Sequence, residues 1–280
     1  MKDKLQKHST EISEGKRFEF GKNWNRFLSV LNNERIFEAE QSLKEMLECE
    51  NLEGKSFLDI GSGSGLFSLA ARRLGARVYS FDYDPQSVGC TSELKRRYFT
   101  DDQNWEIAEG SVLDPEFLKS LGKFDIVYSW GVLHHTGDMW QALSNSQLPV
   151  KNGGLCFIAI YNDQGSLSGF WKMVKQTYCS GLPGKVFTIG IFFPYFIMAG
   201  FVKDALFLRN PLKRYTEYKK SRGMSVFHDW LDWLGGCPFE VARPELISDL
   251  YKERGFRLLK VKTANGWGNN QFVFRKEVGD

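Results

Sequence analysis

The chain is poor in paired cysteines, in histidine and in net charge. Its five cysteines, Cys49, Cys90, Cys156, Cys179 and Cys237, are scattered and never form a CxxC pair. That pattern argues against a zinc site and a disulfide framework. It suits a reducing compartment, so the expected location is the cytoplasm. With 37 basic and 34 acidic residues the net charge is only +3, which rules out a strongly polycationic or polyanionic protein. The first sixteen residues are polar, lack the apolar core of a signal peptide and are expected to be frayed. What remains is ordinary for a globular chain: 42% apolar residues in 280 positions can bury a core without metal or disulfides.

Apolar residues at spacings of three and four, from Phe18 to Leu52, predict a helical N-terminal region. A strand over Ser56-Phe57-Leu58-Asp59-Ile60 runs into Gly61-Ser62-Gly63-Ser64-Gly65 and then a helix carrying Leu66, Leu69, Ala70 and Leu74. Further strands are expected at 77–82, 105–108, 124–129 and 154–161, with Pro85 opening a helix that runs to about Tyr98. The alternation stops near Asn162 and resumes with a helix at 244–254 and strands at 257–263 and 271–275. This is the pattern of an α/β, doubly wound parallel sheet. It divides the chain into an N-terminal helical cap at 1–54, a core at 55–162 and 242–280, and a helical lid at 163–241 inserted between the fifth strand and its following helix.

The glycine loop carries the most information. Glycines serve where backbone turns sharply and approaches a ligand closely. Asp59 ends the strand before the loop, and Asp82 ends the next strand, where a carboxylate can accept bonds from both hydroxyls of a ribose. Two cofactor classes compete. A dinucleotide would put a pyrophosphate at the helix N-terminus, and Asp59 would repel it. S-adenosylmethionine has no phosphate and carries a positive sulfur and a positive amine, so the D-x-G-x-G-x-G form favours it.

The segments FLDIGSGSG, VYSFDYDP, IAEGSVLD and FDIVYSWGVLHHTGD together resemble the class I S-adenosylmethionine-dependent methyltransferases, nearer to the quinone-biosynthesis and small-molecule branch than to the nucleic-acid branch. The resemblance implies a seven-stranded Rossmann-like sheet whose last strand is antiparallel. It implies that Asp59, Gly61 and Gly63 meet the methionine end and that Asp82 holds the ribose, with Tyr83 beside the adenine. Ser111 and Val112 would meet the adenine ring, and Trp130 and Gly131 the methionine moiety. Many relatives carry an acid where Ser111 stands. Trp24, with Asn23, sits in an N-terminal helix that either closes over the cofactor or simply packs.

Methyl transfer from a sulfonium needs alignment and exclusion of water, and a hydroxyl acceptor also needs its proton removed. Only four histidines are available. His8 lies in the frayed end. His134 reads as a packing or capping residue, His135 faces the carboxyl edge of the sheet, and His228 lies in the insertion; His135 and His228 are the candidate bases. Glu240 is a supporting residue or a surface ion pair. Residues 186–202, VFTIGIFFPYFIMAGFV, hold no charge, and residues 203–222 hold seven basic and two acidic residues. A span at 186–202 would split one domain across a bilayer. Two readings stay open: a buried lid over the acceptor, or peripheral contact of 186–222 with an anionic membrane surface. No RNA-binding motif accompanies the basic run, so nucleic acid is not the expected partner. The expected function is methylation, on oxygen, of a small or lipid-like acceptor. The alternatives are a catalytically silent binding module, an RNA or nitrogen methyltransferase, and a nucleotide-dependent oxidoreductase.

Overall fold

The computed structural model describes residues 9–207, 210, 226–264, 266 and 268–278, apart from the side chains of residues 228, 229 and 232. His8 and most of the basic run at 203–222 therefore lie outside the described residues. Helices α1 (Phe20–Leu28) and α2 (Asn33–Leu47) precede the sheet. The core then runs β1 (Ser56–Ile60), α3 (Leu66–Arg73), β2 (Arg77–Asp82), α4 (Pro85–Tyr98), β3 (Trp105–Glu109), α5 (Pro115–Ser120), β4 (Phe124–Trp130), α6 (Met139–Ser146) and β5 (Val150–Tyr161). After β5 come α7 (Ser166–Cys179), α8 (Leu182–Leu206) and α9 (Val226–Gly235), and then α10 (Pro244–Lys252), β6 (Phe256–Lys262) and β7 (Asn269–Lys276).

The seven strands lie in the order β3-β2-β1-β4-β5-β7-β6. β1 to β5 pair in parallel, and β7 is antiparallel to both its neighbours. Neighbouring strand residues point to opposite faces. Phe57 packs with Ile36, Leu43, Leu69 and Leu94 from α2, α3 and α4. Leu58 packs with Leu118, Leu143, Ile247 and Tyr251 from α5, α6 and α10. Both faces are covered, so the central strands read as nearly continuous apolar runs. A third apolar cluster lies outside the sheet, where Trp171 and Tyr178 of α7 meet Leu234 of α9 and Phe239.

Helix starts follow from local chemistry. The Asp84 side chain accepts from the Gln86 amide with Pro85 in the first turn, and Asp114 and Asp138 cap α5 and α6 in the same way. At the foot of the inserted helices Asn162 and Ala242 form an isolated bridge, and the Asp163 amide donates to the Ala242 carbonyl. The chain thus leaves and re-enters the sheet at one point. The sheet order reverses between β1 and β4, and the crevice beyond their carboxyl ends is where open α/β sheets hold ligands.

Candidate active site

At that crevice β1 ends in the glycine loop. The Gly61 and Ser62 amides both donate to the Phe81 carbonyl of β2, folding the loop back on the sheet. Gly61 has φ +77°, and a Cβ there would lie 2.3 Å from Val132 Cγ1. Gly63 has φ +55°, with the Trp24 indole 3.1 Å from where its Cβ would be. Only glycine meets both the left-handed backbone and the close approach.

Two carboxylates border the loop. Asp59 is 2% exposed, and its Oδ2 accepts from Ser68 Oγ at 2.5 Å. Ser68 Oγ lies 2.7 Å from Ser80 Oγ, which accepts from the Trp105 indole at 2.9 Å. Ser68 gives its one proton to Asp59, so Ser80 must donate to Ser68, and the row runs Trp105 to Ser80 to Ser68 to Asp59. Burial nonetheless raises the Asp59 carboxyl to about 7, with Ser68 opposing and the Asp82 charge adding to the rise. Burial also raises Asp82 to about 6. Its two oxygens accept from the Gly63 and Asp84 amides, both at 2.9 Å. Each oxygen keeps a second lone pair for a ligand.

The mouth of the crevice is held by residues 9–17. Arg17 Nε pairs with Glu11 at 2.7 Å, and its NH1 group donates to the His135 carbonyl at 3.1 Å. The guanidinium stands 4.9 Å from the centre of the Tyr83 ring, whose hydroxyl reaches Glu11 at 3.4 Å. The polar N-terminal stretch expected to be frayed is therefore anchored from residue 9, because Arg17 finds partners far along the chain. The Gly21 amide donates to Asp84 at 2.8 Å, fixing the start of α1 over the same edge.

His135 Nδ1 lies 2.6 Å from the Pro238 carbonyl. A carbonyl only accepts, so Nδ1 carries the proton and Nε2 is the lone-pair nitrogen. Burial lowers the imidazole to about 3, the Pro238 bond opposing. His134 is fully buried, its ring centre 4.1 Å from that of Tyr161 with the planes tilted by 42°, and held neutral by that burial. Glu240 is not part of the cavity lining and makes no ion pair among the described residues. Its Oε2 accepts from the Met139 amide at 3.0 Å and so holds the first turn of α6.

One cavity of about 1100 Å³ joins these parts. A pocket for one small ligand typically spans about 300–1,000 Å³, so the space suits two molecules side by side. Asp59, Gly61, Gly63 and Asp82 line it together with Tyr83, Ser111 and Val112. So do Trp24, Trp130, Gly131 and His135. Its far wall is aromatic, with Phe18, Phe20 and Tyr161 facing Phe196 of α8 and Trp230 and Trp233 of α9. Lys262, Thr263, Asn269 and Gln271 form a polar edge from β6 and β7. His228 lies on α9, but its side chain is outside the described residues.

The sequence matches the methyltransferase-domain family over residues 32–260, more than three quarters of its length. The chain belongs to the class I S-adenosylmethionine-dependent methyltransferases. Among curated relatives of this methyltransferase, the ubiquinone biosynthesis O-methyltransferase of Pelagibacter ubique (strain HTCC1062) is 32% identical over 111 residues, 40% of this chain and 44% of that one. The protein of the same name from Rhizobium johnstonii is 34% identical over 113 residues, 40% and 43% of the two chains. The methyltransferase thus matches less than half the length of these relatives. In fold it is similar to magnesium protoporphyrin IX methyltransferase (ChlM) from Synechocystis PCC 6803 with bound SAH, at a TM-score of 0.53 and 14% identity, covering 91% of this chain and 95% of that one. It is also similar to PKMT2 from Rickettsia typhi in complex with AdoHcy, at a TM-score of 0.55 and 14% identity, covering 81% and 50%.

Sequence reasoning missed several residues of the methyltransferase cavity. Tyr128 lies on β4 among Phe57, Phe67 and Phe157, with ring centres 5.1–5.6 Å away. It lines the cavity, and its buried hydroxyl has no hydrogen-bond partner among the described residues. In a strand it reads as one more apolar aromatic. Arg17 and Phe20 were hidden by their place in a polar, helical-looking stretch. At the β6–β7 edge the turn at residues 265–270 is readable in the sequence as lying between the last two strands near the acceptor, and its Gly268 and Asn269 line the cavity. Lys262, Thr263 and Gln271 beside it carry no signal of their own, and Asn265 and Trp267 lie outside the described residues.

Proposed function

We propose that the chain transfers the methyl group of S-adenosylmethionine to the hydroxyl oxygen of a small or lipophilic acceptor. In this reading residues 163–241 form the lid over the acceptor, and residues 1–54 cap the cofactor. The observation that carries it is the pair of carboxylates at the glycine loop. Both are raised by burial and face a cavity. A ligand with positive sulfur and positive amine relieves that cost; a pyrophosphate would add to it.

Asp82 accepts from the ribose hydroxyls through its two remaining lone pairs. Asp59, with Gly61 and Gly63, receives the cationic methionine end, and Trp130 and Gly131 flank it. Tyr83, Ser111 and Val112 border the adenine, and Trp24 covers the loop. Ser111 Oγ accepts from the Leu113 amide at 3.2 Å, so it offers the adenine a hydroxyl rather than the usual acid's charge. When bound, the cofactor supplies a methyl group already activated by the positive sulfur. The aromatic wall excludes water and holds the acceptor beside it. His135 Nε2 takes the hydroxyl proton. With a pKa of about 3 it is unprotonated at every physiological pH but weakly basic. So weak a base takes the proton only as the new O–CH3 bond forms and the oxygen turns positive and strongly acidic. An acceptor that is itself acidic, such as a phenol near 10 in the tyrosine reference, eases that step more than an aliphatic alcohol does.

Isothermal calorimetry with S-adenosylmethionine and with NAD separates the cofactor classes. The sulfonium is expected to bind at one site per chain and NAD to give no heat; tight NAD binding would overturn the reading. For oxygen transfer, label carried from the methyl group into product is expected to survive mild alkali, as an ether does. Label released as methanol would instead mark a carboxyl acceptor.

Tyr128→Phe separates a ligand contact from a packing role. The hydroxyl lies near Asp59, whose charge raises it further above its usual range, and it is in reach of the same end of the cofactor. Losing one neutral hydrogen bond costs about 0.5–1.5 kcal/mol, so S-adenosylmethionine should bind several-fold more weakly. Thermal stability without ligand should stay level or rise, because a buried unpaired hydroxyl has been removed. A fall in both would show that Tyr128 is only core.

A further inference from the structure

Helix α8 has 25 residues, a length of roughly 37 Å at 1.5 Å per residue. Core helices of this composition are buried, yet only 6% of its most apolar stretch is covered. Val186, Phe187, Tyr195, Met198, Phe201 and Val202 are each half exposed or more. No charged residue interrupts them. The opposite side of the helix is packed: Phe192 lies 5.3 Å from Trp171 of α7, and Phe196 lies 5.2 Å from Trp230 of α9. The apolar surface continues onto α7, where Phe170 and Met173 are exposed and Phe170 lies 6.2 Å from Phe192.

We propose that the outer face of α8, with the adjoining face of α7, lies in the surface of an anionic lipid bilayer. An apolar face this long, without charge, is the kind that inserts between headgroups and acyl chains. Charge selects the occupant. Exposed Lys185 and Lys203 bound the apolar stretch, and residues 203–222 carry seven basic against two acidic residues. Anionic lipid attracts that run, whereas a second copy of this chain would bring an equal positive charge against it. The helix lies in one leaflet and does not cross. β5 before it and β7 after it pair in one sheet, so the chain on both sides of α8 stays on one side of the membrane. Resting on the proposed acceptor chemistry, the arrangement also gives a lipophilic acceptor a short path, because α8 turns Phe196 into the cavity while its other face meets the lipid.

Flotation of the full chain with vesicles tests the surface. One set is phosphatidylcholine alone and the other contains about a third phosphatidylserine. Binding to the anionic vesicles is expected to exceed binding to neutral ones at least tenfold at low salt and to fall as salt rises. The triple variant Phe187→Ser, Met198→Ser, Phe201→Ser is expected to lose that binding at least tenfold while binding S-adenosylmethionine like the parent, which shows it folded. Light scattering supplies a readout that needs no variant, with a monomer expected. A parent protein that ignores both vesicle types, or a dimer that the triple variant splits, overturns the proposal. Calorimetry of S-adenosylmethionine on the same sample keeps that failure apart from a failure of the cofactor reading.

Discussion

In His135→Asn, kcat falls by about 10²–10⁴-fold, the range a positioned general base contributes, while the dissociation constant of S-adenosylmethionine barely moves. Asparagine is chosen for what it keeps. Its side-chain amide can still donate toward the Pro238 carbonyl, as His135 Nδ1 does at 2.6 Å, and its size leaves Phe20 and Tyr161 a neighbour on either side. What it lacks is the second nitrogen. A loss confined to kcat therefore reports proton removal, whereas a loss confined to acceptor KM reports packing. The pH profile adds a second readout. Because the parent imidazole titrates at about 3, its rate at saturating cofactor should show no acid limb at the usual histidine value of 6.5. Methyl incorporation from labelled cofactor into a lipid extract measures both. Full activity in the variant would move the search for the base to His228.

Parts of this site were legible from local chemistry and parts were not. β2 and α4 fall where the sequence placed them, because Val78, Tyr79 and Phe81 supply a short strand-forming run and Asp84 and Pro85 punctuate the join. The glycine loop between β1 and α3 was readable for the same reason. Other features depend on distant partners. The N-terminal pattern looked continuous but breaks into α1 and α2, because Asn32 accepts from the Arg35 amide and starts a new helix. β5 begins at Val150 rather than 154, since a register shift between Phe124 and Ile126 lets Val150 pair with Phe124. The tautomer of His135 is set by a carbonyl 103 positions away, and Arg17 reaches the His135 carbonyl across 118. No local pattern encodes either. The short α5 and α6, six and eight residues long, offer too few turns for a periodicity to register.

Cofactor affinity should fall as the solution is acidified from pH 8 to pH 5, and the sign of that change identifies the ligand. Asp59 is raised from 3.8 to about 7 and Asp82 from 3.8 to about 6. Both are raised carboxyls, so the folded protein without ligand holds more protons than the unfolded chain between pH 4 and 7. Their contribution to stability is full below about pH 4 and is lost as pH rises through 6 and 7. A cationic ligand works in the other direction, because it needs both groups ionised. Each group costs about tenfold in affinity per pH unit below its own pKa. From pH 8 to pH 5 the two together weaken S-adenosylmethionine by roughly 10³-fold, and the thermal shift it produces shrinks in step. Asp82→Asn keeps one acceptor oxygen and removes one ionisation. Its binding at pH 8 should weaken by about 1.5–3 kcal/mol, the worth of charged hydrogen bonds. Its pH profile should lose the Asp82 step near 6 and keep a single Asp59 step, moved below 7 because the Asp82 charge no longer raises that carboxyl. A pyrophosphate ligand predicts the reverse, since protonating the carboxylates removes repulsion and tightens binding. Calorimetry at pH 5, 6, 7 and 8 on parent and variant therefore decides the charge of the occupant without knowledge of the acceptor.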